Sequence, residues 1–194
     1  MKFFRETLEL DVPEGVYYPE DDSLLMADVL KNMELKGEKC LEMGCGSGLL
    51  SITMAKKGAI VTACDANEEA IETTKKNAEK NKAKITSIQS NLFDKISGKF
   101  DIIVFNPPYL PVDDKYSDKS FDGGKTGRAV IERFLENAGN HLEKNGRILL
   151  LFSSLTGERE VLDFAEKCGF KPSVLKRQKI YWEELTVVDL KKDR

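Results

Sequence analysis

Short apolar runs alternate with amphipathic stretches over most of this chain. Cys40-Leu41-Glu42-Met43 follows the turn-like Lys36-Gly37-Glu38 and predicts a short buried strand, and residues 60–64, 85–88, 100–105 and 147–152 predict four more. Helices fall between them. Asn67 can cap one whose first turn carries Glu68 and Glu69, while Lys75, Lys76 and Lys80 crowd its far end, an arrangement suited to the helix dipole. Across 127–143, Val130, Ile131, Phe134, Leu135, Ala138 and Leu142 recur at helical spacing, with Asn145-Gly146 as the stop. Residues 161–168 predict another helix, closed by Gly169. Two strand-like segments, 173–175 and 185–190, follow with no helix between, which predicts an antiparallel hairpin. The alternation as a whole predicts a parallel, doubly wound α/β sheet, made mixed by that hairpin.

Composition narrows the picture. A chain of 194 residues suits one domain over 1–194, with 1–36 as an N-terminal lead-in segment and helix. The polar stretch 111–125, with Asp113, Asp114, Asp118 and Asp122, is a candidate substrate lid. Acids outnumber bases by 33 to 30, so no global field draws polyanions, and a nucleic-acid substrate would need a local basic patch or a helper subunit. Apolar runs are too short to span a membrane, and Arg5, Glu6 and Glu9 interrupt any signal-like start. The four cysteines, at 40, 45, 64 and 168, form no CxxC pair; they read as reduced thiols of a cytoplasmic protein, without metal.

The first strand runs into Glu42-Met43-Gly44-Cys45-Gly46-Ser47-Gly48 ahead of a helix from Leu49. Glycines belong where the backbone turns sharply and a ligand approaches it closely. A dinucleotide GxGxxG fingerprint would place glycine where Leu49 stands, and a phosphate loop would end in Gly-Lys-Ser/Thr. GxGxG spacing behind the acidic Glu42 points instead to a ligand without phosphate, S-adenosylmethionine. Asp65, with Ala66, ends the second strand where an acid can accept both ribose hydroxyls; the alternative is that Asp65 only caps the next helix. Asn91 and Leu92 follow the third strand, where an adenine contact would arise.

The fourth strand ends in Asn106-Pro107-Pro108-Tyr109, at the edge where open α/β sheets bind ligands. Proline removes a backbone donor and biases Asn106 toward extended backbone. The Asn106 side-chain oxygen and the Pro107 carbonyl can each accept one hydrogen of an NH2 group and aim its nitrogen at a sulfonium methyl. Tyr109 offers an aromatic face to the planar group. Such chemistry rests on positioning and electrostatics rather than on a strong base.

On these residues the chain resembles the class I amino-methyltransferases, HemK-type glutamine enzymes among them. Val16-Tyr17-Tyr18-Pro19-Glu20-Asp21-Asp22-Ser23 is similar to the Val-Tyr-x-Pro-x-Glu-Asp-Ser/Thr opening motif of the short archaeal and eukaryotic HemK branch. Gly123-Gly124-Lys125-Thr126-Gly127-Arg128 resembles that branch's Gly-Gly-Arg-x-Gly-Arg segment; Asp21, Lys125 and Asn91 depart from the usual Glu, Arg and Asp. The resemblance implies a Rossmann-like class I methyltransferase fold, a mostly parallel seven-stranded sheet with a C-terminal antiparallel hairpin. It implies methylation of the glutamine amide in the Gly-Gly-Gln loop of a class 1 translation release factor, by a heterodimer with a small zinc-binding activator. Asp22 and Ser23 are expected near the methionine end of the cofactor, with Tyr17 and Pro19 shaping the mouth and Tyr18 also counted among the cofactor-binding residues; Asp22-Ser23 has a helix cap as its alternative role. The activator is expected to add a strand to the edge 85–88, unless Lys82 and Lys84 protect that edge. Two rivals stand beside this reading: a nucleic-acid amino-methyltransferase acting on an extruded adenine N6 or guanine N2, and a non-catalytic scaffold. His141 is expected at the surface or as a cap, and Tyr181 and Trp182 packed within the closing hairpin, with a place flanking the substrate mouth as the alternative.

Overall fold

The computed structural model describes residues 1–108 and 127–192. The chain opens with an antiparallel hairpin, β1 (Lys2–Arg5) and β2 (Leu8–Asp11), and helix α1 (Asp21–Lys31). Then follow β3 (Lys39–Met43), α2 (Leu49–Lys56), β4 (Ile60–Asp65), α3 (Glu68–Lys80), β5 (Ile85–Gln89) and β6 (Phe100–Phe105). From residue 127 onward come α4 (Ala129–Ala138), β7 (Leu142–Ser153), α5 (Glu158–Lys167), β8 (Phe170–Ile180) and β9 (Glu183–Lys192).

Seven strands form one sheet in the order β5-β4-β3-β6-β7-β9-β8. The first five run parallel, and β9 pairs antiparallel with β7 and β8. This is the mostly parallel sheet with a closing hairpin that the alternation predicts. Period-two alternation divides the core between its faces. Ile102, Val104, Leu149 and Leu151 join the α1 and α2 side; Ile103, Phe105, Leu150 and Phe152 join the α4 and α5 side. The chain steps outward from β3 to β5, returns to the other flank of β3 and continues through β6 and β7. Strand order therefore reverses between β3 and β6, and a crevice opens at their carboxyl ends.

Three expectations need correction. The helix predicted over 127–143 ends at Ala138; a short 3-10 turn, Gly139–His141, follows, and Leu142 already belongs to β7. Gly146 is not a helix stop, because it lies within β7 against the Phe100 carbonyl, where a Cβ would come within 2.8 Å. The ladder register shifts at that point, between Phe100 and Ile102. Tyr181 and Trp182 do not pack: each is 92% exposed at the tip joining β8 to β9. The β1–β2 hairpin was not legible in the lead-in segment.

His141 lies in the 3-10 turn, its ring stacked on Phe93 at 4.5 Å between centroids. All four cysteines are free, with Cys40, Cys45 and Cys64 buried. Among the described residues no helix is long and apolar enough to cross a membrane.

Candidate functional site

The carboxyl ends of β3, β4 and β6 border a cavity of about 1120 Å³. One wall is the glycine turn between β3 and α2. Gly48 has a left-handed φ of 85°, and a Cβ there would meet Thr74 Oγ1 at 3.1 Å, so the turn admits no larger residue without displacing α3. Two side chains of α3 hold the turn from behind: Thr74 Oγ1 donates to the Gly46 carbonyl at 3.1 Å and Asn77 Nδ2 to the Ser47 carbonyl at 2.9 Å. The Gly46 N–H donates forward to Asp65 Oδ2 at 3.0 Å.

Asp65 thereby joins two walls, since its Oδ1 also accepts from Asn67 N at 2.9 Å. The cap of α3 is Asn67, whose side chain accepts from Glu69 N at 2.9 Å, so Asp65 is not that cap. Burial raises the Asp65 pKa, and the N–H bonds from Asn67, Gly46 and Ala66 oppose the rise. Glu42, 2% exposed beneath the turn, accepts the Ser51 hydroxyl. Desolvation, reinforced by Asp65, pushes the Glu42 carboxyl up to about 8.

The opposite wall follows β5. Ser90 Oγ donates to the Leu92 carbonyl at 2.8 Å and accepts from Lys95 N at 3.0 Å, closing a turn in which Leu92 takes a left-handed φ of 47°. A branched residue in that region carries strain and persists only where its surroundings over-determine it. Asn91 stands beside it, and Val130 and Arg133 of α4 complete this side of the cavity.

The third wall is the end of β6. Asn106, Pro107 and Pro108 line the cavity. Asn106 Nδ2 donates to Asp22 Oδ2 at 3.0 Å, and the Tyr17 hydroxyl lies 3.0 Å from each oxygen of the same carboxylate. Asn106 Oδ1 is buried without a partner among the described residues.

Of the residues expected at the site, Asp22, Ser23, Glu42, Gly44, Gly46, Asp65, Ala66, Asn91, Leu92, Asn106, Pro107 and Pro108 line this one cavity. Gly48 shapes the turn from behind its wall. Tyr18 and Pro19 do not line it: the Tyr18 ring packs edge-on against Phe3 at 5.6 Å, its hydroxyl reaching the Lys2 carbonyl, and Pro19 is buried. Tyr109 and the 111–125 stretch lie outside the described residues. Sequence reasoning missed Ser90, Val130 and Arg133. Val130 and Arg133 stand three apart on a helix the periodicity predicted, but spacing does not say which ligand-facing wall a helix covers.

The profile of a family described as "Methyltransferase small domain" matches residues 20–181. A Methanocaldococcus jannaschii protein, whose name assigns it provisionally to protein N5-glutamine methylation, is 42% identical over 95% of this chain and 95% of its own length. Human methyltransferase HEMK2 is 30% identical over 91% of this chain and 90% of its own. Among solved structures, the E. cuniculi Mtq2–Trm112 complex, described as responsible for methylating the translation termination factor eRF1, contains a chain that superposes with a TM-score of 0.76. The two share 27% identity, over 92% of this chain and 99% of that one.

Proposed function

Because the chain belongs to the HemK-type methyltransferases within the methyltransferase small-domain family, and is thus an S-adenosylmethionine-dependent enzyme, we propose that it methylates the glutamine amide in the Gly-Gly-Gln motif of a class 1 release factor. The observation that carries this reading is the buried, unpartnered Oδ1 of Asn106 at the cavity wall. A buried acceptor without a donor is costly, and an incoming NH2 group satisfies it. The adjoining Pro107 carbonyl is the second acceptor. With both hydrogens held, the nitrogen lone pair is turned toward its electrophile, and burial from water strengthens these contacts.

The residues present fit the cofactor. Asp65 would receive the ribose hydroxyls, the glycine turn leaves its backbone open to close approach, and Asn91 with Leu92 would flank the adenine. When bound, S-adenosylmethionine supplies an electrophilic methyl on a sulfonium. The relatives support an amide substrate over a base: the E. cuniculi complex is described as acting on a termination factor, and an overall charge of −3 gives no general attraction for nucleic acid.

The same comparison supports a heterodimer with a small partner subunit; we infer that this partner is a zinc-binding activator and that the pair works in the cytoplasm. Strand β5 is a sheet edge whose exposed side chains, Thr86 and Gln89, are uncharged, whereas the other edge, β8, bears Lys171, Lys176, Arg177 and Lys179. Charge blunts an edge against strand addition, so β5 is the edge open to a partner. Ile85 and Ile88 pack inward against the core, so the edge is tested with Thr86→Arg and Gln89→Arg together. That pair should abolish co-purification of the activator while leaving the melting temperature of the chain in place; retained binding would move the partner elsewhere.

The decisive assay is transfer of label from S-adenosylmethionine to a purified release factor, with and without activator. Label on the Gly-Gly-Gln glutamine, lost in Asn106→Ala, is the expected result. Label on RNA or DNA instead would keep the chemistry and overturn the substrate.

A further inference from the structure

Asn106 and Asp22 lie 84 residues apart and meet at the cavity wall. Asp22, 4% exposed in the first turn of α1, accepts Asn106 Nδ2–H on Oδ2 at 3.0 Å. The Tyr17 hydroxyl sits 3.0 Å from both carboxylate oxygens, and the Ser23 N–H donates to Oδ1, which fixes the plane of the carboxylate. A carboxylate accepts and does not donate, whereas a primary amide carries donors at one end and an acceptor at the other. Asn106 must therefore turn its NH2 end toward Asp22. Its oxygen is left on the opposite side, where it is buried without a partner among the described residues.

We propose that Asp22, steadied by Tyr17, is a positioning residue that locks the Asn106 amide with Oδ1 presented to the nitrogen being methylated. The inference rests on the reading of Asn106 as an acceptor for a substrate NH2 group. Without the carboxylate, rotation about the terminal torsion of Asn106 is broad and roughly two-fold. The flipped amide offers NH2 to NH2, donors facing donors, and the substrate nitrogen loses its grip. Asp22 acts through Asn106 and not through the cofactor.

Asp22→Asn is the discriminating variant, because it keeps size and removes the one-way acceptor. In side-chain amide NMR spectra of the full chain, the Asn106 signals are identified by their disappearance in Asn106→Ala. Wild type should show Asn106 NH2 protons slowed in exchange with water, and Asp22→Asn should lose that protection. With release factor as substrate, Asp22→Asn should lower kcat by on the order of 10- to 100-fold while the Kd for S-adenosylmethionine stays within about twofold. Tyr17→Phe, which leaves the carboxylate in place, should lower kcat by only about threefold. An unchanged Asn106 signal in Asp22→Asn would overturn the proposal. So would weaker cofactor binding with kcat unchanged at saturating cofactor. A wild-type chain that labels no release factor would refute the substrate reading alone, since the amide spectra decide the positioning independently of turnover.

Discussion

Glu42 carries a penalty that depends on pH. Burial pushes its pKa up to about 8, with Asp65 acting in the same direction, whereas an unfolded glutamate titrates near about 4.3. Between those values the folded chain holds a proton that the unfolded chain has released, so this group's contribution to stability falls as pH rises through the window. Glu42→Gln removes the penalty and can still accept from Ser51. Calorimetry of the ligand-free protein should show the variant matching wild type near pH 5 and melting a few degrees higher near pH 8; a difference independent of pH would refute the assignment. The residues legible in the sequence are those at strand ends with motif spacing, Glu42, Asp65 and Asn106 among them. The packing of the Tyr18 ring on Phe3 was not legible because residues 12–20 form no strand or helix, and without a period nothing in the sequence says which side a ring takes. The tie between Asp22 and Asn106 was illegible for a different reason: it spans 84 positions, and no local pattern reports it.

At the level of elements, α3 acts as a clasp. Asn77, 1% exposed, exchanges hydrogen bonds of 2.9 and 3.0 Å with the backbone of Asp11 in β2 and holds the Ser47 carbonyl of the glycine turn at 2.9 Å. Asn81 grips the same hairpin at Glu9, with bonds of 3.2 and 2.8 Å, and reaches no part of the turn. Asn77→Ala and Asn81→Ala should each cost about 1–2 kcal/mol in denaturant unfolding, since each leaves part-buried backbone groups without their side-chain partners. Asn77→Ala alone should also weaken cofactor binding several-fold by titration calorimetry; equal effects from both would show that the turn does not depend on the clasp. This hairpin escaped sequence reading because each of its strands has four residues, mixed in charge, and its stability comes from side chains of a distant helix. The central strands were legible, being buried on both faces and so written as continuous apolar runs. The end of α4 was misjudged because Leu142 continues the helical spacing while belonging to a strand.

Across the whole molecule, the sheet separates its tasks by position. Its reversal point holds the cavity, one edge strand, β5, carries no charged side chain, and the other is studded with cations, of which Lys176 pairs with Asp28 at 3.3 Å and Arg177 with Glu158 at 2.6 Å. The hairpin carrying that second edge is pinned beside its tip, where Ser153 Oγ donates to Glu183 and the Glu184 N–H to Ser154 Oγ at 3.0 Å. Beyond these pins stands Trp182, the sole tryptophan of the chain, 92% exposed. Its indole is already in water in the native state, so its fluorescence should be red-shifted and open to acrylamide quenching before any denaturant is added. Unfolding then has little left to change. Tryptophan emission should stay nearly flat through a transition that circular dichroism records in full, and a large blue-to-red shift on denaturation would show the ring to be sheltered. The usual optical signal of folding is, in this chain, a dye fixed to the outside.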